Sequence, residues 1–95
     1  MIQLSVIITV YYGEKTIANL TDALVNQLKT YLNSYEIVLI NDGSKDLSDK
    51  ICRELAEKYP DVVAYGQLTR NFSEHNAVMA ALNICSGDYA VIIDD

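Results

Sequence analysis

Leu4-Ser5-Val6-Ile7-Ile8-Thr9-Val10 is a short, nearly continuous run of β-branched and apolar residues. Such a run predicts a strand covered on both faces, as in a parallel sheet. From Thr16 the period changes: Ile17, Leu20, Leu24, Leu28 and Tyr31 share one helical face, and Val25 and Leu32 widen it. Glu36-Ile37-Val38-Leu39-Ile40 predicts a second strand, ending in the turn Asn41-Asp42-Gly43-Ser44. Asp46 is placed to cap a second helix with Leu47, Ile51, Leu55 and Tyr59 at four-residue spacing, and Pro60 stops it. Val62 to Leu68 predicts a third strand, interrupted in character by Gly66. Ser73 can cap an unusually apolar third helix through Ala77, Val78, Ala80, Ala81, Leu82 and Ile84, which Gly87 would end. Tyr89 to Ile93 predicts a fourth strand, with Asp94-Asp95 directly after it.

Strand alternating with helix predicts an α/β fold: a Rossmann-like, mostly parallel sheet with right-handed crossovers. Ligands of such sheets bind beyond the carboxyl ends of the strands. The polar residues gather there, in Thr9 to Glu14, Asn41 to Asp46, Thr69 to Asn76 and Asp94-Asp95. The chain stops at the tip of the fourth strand. We therefore expect residues 1–95 to be part of a larger domain, with an exposed sheet edge able to pair with another chain, as in a homodimer.

Length and composition narrow the function classes. Ninety-five residues suit one small domain, and 51% apolar with 21% charged residues is a globular composition. A net charge of −6 argues against a nucleic-acid binder, which needs clustered Lys and Arg to replace counterions. Cys52 and Cys85 show no metal-ligand spacing and read as reduced, buried thiols. No run has the length of a membrane span, and Met1 to Val10 lacks the features of a signal peptide. The expectation is a cytoplasmic chain.

The first turn, Tyr11-Tyr12-Gly13-Glu14-Lys15, has one glycine and none of the glycine patterns that wrap a phosphate in backbone N–H groups. A nucleotide site here would be built from side chains. Tyr11 could stack on a base, worth roughly 1–3 kcal/mol. Asp42 could accept from a base imino N–H and Arg70 could donate to a base carbonyl, a pairing that favours uracil or thymine. Asp42-Gly43-Ser44 is equally an ordinary turn, and Tyr11 could simply cover the sheet end. Asp94-Asp95 is the sharper feature, because adjacent carboxylates repel unless they share a positive charge. Mg²⁺ or Mn²⁺ would supply it and bridge to substrate phosphates; a solvated acidic end is the plainer alternative.

Four segments, VIITVYYGE, EIVLINDGSKD, RNFSEHNA and GDYAVIIDD, resemble family 2 glycosyltransferases in content, order and spacing across essentially the whole chain. Residues 68–77 are most similar to the branch that loads sugars onto polyprenyl (dolichyl or undecaprenyl) phosphate. The resemblance implies a GT-A fold and a nucleoside-diphosphate-sugar donor, with 1–95 as the donor-binding half and the acceptor half absent. It implies that Thr9 and Tyr11 line the base and ribose pocket with Glu14 nearby, and that Asp42 and Arg70 read the base. Asp94 would be the first acid of the D-x-D motif, toward ribose or metal-bound water, and Asp95 its middle residue. The main metal ligand would come next, and the catalytic base later.

The family usually carries proline where Thr9 stands, asparagine where Tyr12 stands, and often glycine where Ser73 stands. His75 reads as a packing or phosphate-side residue rather than a base, and Glu74 as a solvated residue at a helix start. The implied activity is inverting sugar transfer, from a UDP-linked donor to a polyprenyl phosphate or a saccharide, at the cytoplasmic face of a membrane. The 95 residues alone are expected to be inactive. The competing reading is a non-catalytic α/β module that binds a nucleotide or a partner.

Overall fold

The computed structural model describes residues 2–32, 34–68 and 87–94; for Ile2, Gln3, Asp42, Leu68, Asp94 and the first residues of the last strand it describes the backbone only. In chain order the elements are β1 (Ile2–Val10), α1 (Ile17–Tyr31), β2 (Tyr35–Asp42), α2 (Ser48–Lys58), β3 (Val63–Leu68) and β4 (Gly87–Asp94). The strands form one parallel sheet in the order β3-β2-β1-β4. The third helix expected from Ser73 lies outside the described residues, as does Cys85.

Burial on both sheet faces explains the unbroken apolar run of β1. Val6, Ile8 and Val10 pack with Tyr35, Ile37, Leu39 and Val63 against Ile17 and Val25 of α1 and Cys52 and Leu55 of α2. The alternate positions Ile7, Val38 and Ile40 are also buried. Fully burying such side chains contributes about 1.5–3 kcal/mol each. Cys52 is fully buried within this core, where it acts as a small hydrophobe.

The helical periods place most of the core correctly, with two differences. Tyr31, expected on the apolar face of α1, is 78% exposed. The buried stripe of α1 is centred on Ile17, Thr21 and Val25. Tyr31 lies at its flank, while Leu28 and Leu32 on either side of it still pack against the core. Leu47 precedes α2 and is exposed rather than opening its buried face. Thr21, polar and absent from the expected face, is wholly buried instead, and its hydroxyl has no hydrogen-bond partner among the described residues. A buried unpaired hydroxyl is costly. Thr21→Val, which keeps the shape, should therefore raise stability by about 1 kcal/mol in urea unfolding.

Three strands also extend further than their patterns suggest, β1 by starting at Ile2. β2 runs through Asp42, because Asn41 and Asp42 remain in register with Gln67 and Leu68. The chain turns only at Gly43, with φ of 74°, a conformation glycine adopts without a Cβ clash. β4 starts at Gly87 and ends at Asp94, so the first acid of the pair is the strand's last residue. Gly66 has a packing reason: a Cβ there would lie 3.1 Å from Cδ1 of Ile40 on the neighbouring strand.

Candidate functional site at the carboxyl ends of the strands

The sheet order defines where a ligand would sit. From β1 the chain steps to β2 and β3 on one side, and β4 then pairs on the other side of β1. That reversal is a topological switch point, and the crevice beyond it is where open α/β sheets bind ligands. Its lip consists of the ends of β1 and β4. There Thr9 is directly in register with Asp94 on one side and Ile40 on the other. Eighty-five residues of sequence separate two positions that the sheet makes neighbours.

Tyr11 follows the end of β1 and is half exposed. Asp42 follows Asn41, which pairs with Val10, so Tyr11 and Asp42 leave adjacent strands at one level. Glu14 lies at the head of α1, where its N–H meets Asp46 at the head of α2 (3.4 Å), so its backbone belongs to the helix side of the loop. Arg70 and Asp95 lie outside the described residues. Among the described residues no group of three or more His, Cys, Asp or Glu gathers as a metal site.

Polar groups that the sequence reading did not assign to the site hold the first loop in place. The Ser44 hydroxyl accepts from the N–H of Tyr12 at 2.8 Å and donates to the Val10 carbonyl. The Ser48 hydroxyl accepts from the N–H of Gly13 at 3.0 Å. With Asp46 on Glu14, three successive N–H groups of loop one are bound by side chains from the β2–α2 connection. These donors are thereby taken, so loop one is not a backbone cradle for phosphate. The absence of a glycine-rich pattern thus has a structural counterpart.

The β2–α2 connection is braced in turn. Asn41, wholly buried, accepts from the Ser44 N–H through Oδ1 at 3.0 Å and donates through Nδ2 to the Tyr65 hydroxyl at 3.2 Å. Tyr65 donates to Asp49 at 2.7 Å. Asp46 accepts from the Ser48 N–H at 3.0 Å, so it serves the start of α2 from one residue before the cap position. The spacing Asn41 to Ser44 and Asp46 to Ser48 signals such local turns, but nothing local indicates the bonds to Tyr12, Gly13 and Tyr65.

These bonds displace the titration of the groups that make them. For Asp46, burial raises the pKa, but hydrogen bonds from the Ser48 side chain and backbone and from the Glu14 N–H outweigh it and leave it below the ordinary value. Asp49 is lowered chiefly by the Tyr65 hydroxyl, and then by Arg53. Asp22 is lowered chiefly by the Tyr59 hydroxyl, and then by Lys58. Burial, followed by the bond to Asp49, holds the Tyr65 phenol well above its ordinary range.

Lowered carboxylates contribute stability that is present above about pH 4 and is lost as pH falls through their native values. The raised Tyr65 contributes below about pH 10 and loses its contribution as pH rises through its native value. Urea midpoints measured from pH 7 to 2.5 should therefore fall on the acid side, and Asp46→Asn or Asp49→Asn should flatten that fall.

The model of glycosyl transferase family 2 matches residues 5–95, nearly the entire chain. The chain belongs to this family. Its family 2 relatives include an undecaprenyl-phosphate 4-deoxy-4-formamido-L-arabinose transferase of Proteus mirabilis, 34% identical over 92 residues, with 97% of this chain and 28% of that protein covered. Among solved structures, residues 1–349 of S. aureus TarS superpose with a TM-score of 0.78 at 28% identity, covering 98% of this chain and 27% of that one. A mannosyltransferase from Pyrobaculum calidifontis, in complex with GDP-Man and Mn²⁺, superposes with a TM-score of 0.76 at 24% identity, covering 97% of this chain and 27% of that one. The chain thus spans little more than a quarter of each of these three proteins. The fold is that of the GT-A glycosyltransferases, and the likeness to a polyprenyl-phosphate branch seen in residues 68–77 agrees with the Proteus relative. No helix among the described residues is long and apolar enough to cross a membrane.

Proposed function

We propose that residues 1–95 are the donor-nucleotide half of a GT-A domain. The whole protein would transfer a sugar, with inversion, from a nucleoside-diphosphate sugar, UDP-linked, to a polyprenyl phosphate or a saccharide. The observation that carries this reading is the register of Thr9 with Asp94 at the switch point of a family 2 chain. In this reading Tyr11 stacks on the base, Thr9 and Asp94 face the ribose with Glu14 nearby, and Asp42 and Arg70 select the base. The acceptor, any base catalyst and contact with the membrane face belong to the acceptor part of the protein.

A divalent cation, Mg²⁺ or Mn²⁺, fits the donor chemistry of this lip. Asp94 ends β4 with Asp95 after it, and consecutive carboxylates are hard oxygen donors suited to such an ion. The Mn²⁺ bound by the Pyrobaculum mannosyltransferase supports the choice. Asp94 and Asp95 would help hold the cation, which when bound neutralises charge developing on the leaving diphosphate. The residues of this chain bind and orient the nucleoside.

Thermal-shift titration with UDP, GDP and dTDP, each with and without Mn²⁺, tests the reading. The expected result is stabilisation by UDP that depends on Mn²⁺ and is lost in Asp94→Asn. No response to any nucleotide would favour the non-catalytic module instead.

A further inference from the structure

Tyr12 stands out beside the proposed pocket for two independent reasons. Its φ is 55°, and it is the one non-glycine residue among those described with a positive φ. Aromatic residues rarely adopt that left-handed conformation, whereas asparagine tolerates it far better. Its ring also meets the ring of Tyr11 edge to face, with centroids 4.6 Å apart and planes at 84°. Both residues are 49% exposed, so burial of these rings in the core does not explain why an unfavourable backbone carries a tyrosine. Strain retained at the rim of a site is a pointer to function.

We propose that Tyr12 is a positioning residue that fixes the ring of Tyr11 for base stacking. The bond from its N–H to Ser44 Oγ holds the backbone in the left-handed turn, and the turn aims its ring at Tyr11. An exposed tyrosine at a strand end would otherwise sample several rotamers and lose that freedom on binding a base. An edge-to-face partner removes part of that cost before the ligand arrives. Asparagine at this position would relieve the backbone but leave Tyr11 unsupported. This inference rests on the reading of Tyr11 as the base platform.

Stability and binding should therefore move in opposite directions on substitution. In the full chain, Tyr12→Asn is expected to keep or raise the Tm while weakening UDP binding, measured by calorimetry with Mn²⁺, about fivefold. Tyr12→Phe keeps the ring and should bind as the parent does. Tyr11→Ala separates the two readings. If the parent binds no nucleotide, or Tyr11→Ala binds as tightly as the parent, the pocket reading falls and this proposal with it. If Tyr11→Ala weakens binding while Tyr12→Asn leaves it unchanged, the positioning role alone is overturned. A Tyr12→Asn chain whose Tm and affinity fall together, or a Tyr12→Phe chain that binds as weakly as Tyr12→Asn, also overturns it.

Discussion

Asn41→Leu is expected to lower stability by about 3 kcal/mol and to loosen the first loop, although residue 41 is itself part of β2. Leucine fills similar space but offers neither an acceptor to the Ser44 N–H nor a donor to Tyr65. Ser44 is buried, and leaving its N–H unpaired there costs about 1–3 kcal/mol. Misfit of a branched apolar group in a polar niche adds roughly 1 kcal/mol. Tyr65 loses less, because it still donates to Asp49. For a chain of this size the sum corresponds to a Tm lower by about 10–20 °C. The change should also spread to loop one, since a displaced Ser44 no longer holds the Tyr12 N–H. Faster hydrogen exchange at Tyr12 would record that; unchanged exchange there would refute the bracing role.

Ile8→Ala should cost at least as much, in the upper part of the range of about 2–5 kcal/mol for emptying a large aliphatic site. Ile8 is fully buried in the central strand, in register with Leu39 and Ile93, and faces the layer formed by α1 and α2. Neighbours on three sides belong to rigid elements, so little collapse into the cavity is available. Small domains are stable by only about 5–15 kcal/mol, so the urea midpoint should fall by a large fraction. Tyr31→Ala is the control. Its ring is 78% exposed, and the change should stay within about 0.5 kcal/mol. Equal losses at the two positions would contradict the core assigned here.

That pair of substitutions also shows how far periodicity reaches. Both Ile8 and Tyr31 sit on apolar patterns, and the pattern cannot tell that the buried stripe of α1 centres on Ile17, Thr21 and Val25 and leaves Tyr31 at its flank. Thr21 is the converse: a polar residue that the packing of α1 buries because of where its helical position points. Hydrophobic spacing reports which face a residue is on. Depth depends on what stands opposite.

The site divides along the same line. Strand alternating with helix, the collection of polar residues at strand ends, the lack of a glycine cradle and the acidic pair after an apolar run were all legible, because each depends on neighbours within a few residues. So was the turn at Gly43, whereas Asp46, expected as the cap of α2, bonds the Ser48 N–H from one residue before the cap position at Leu47. Strand order was not legible, since parallel pairing is decided by how crossovers return to the sheet. It is that order which places Thr9 beside Asp94. Nor could local pattern reveal that Ser44, Asp46 and Ser48 bind three successive N–H groups some thirty residues away. Short-range order was written in the side chains themselves, and the meeting of β1, β2 and β4 at one crevice came only with the assembled sheet.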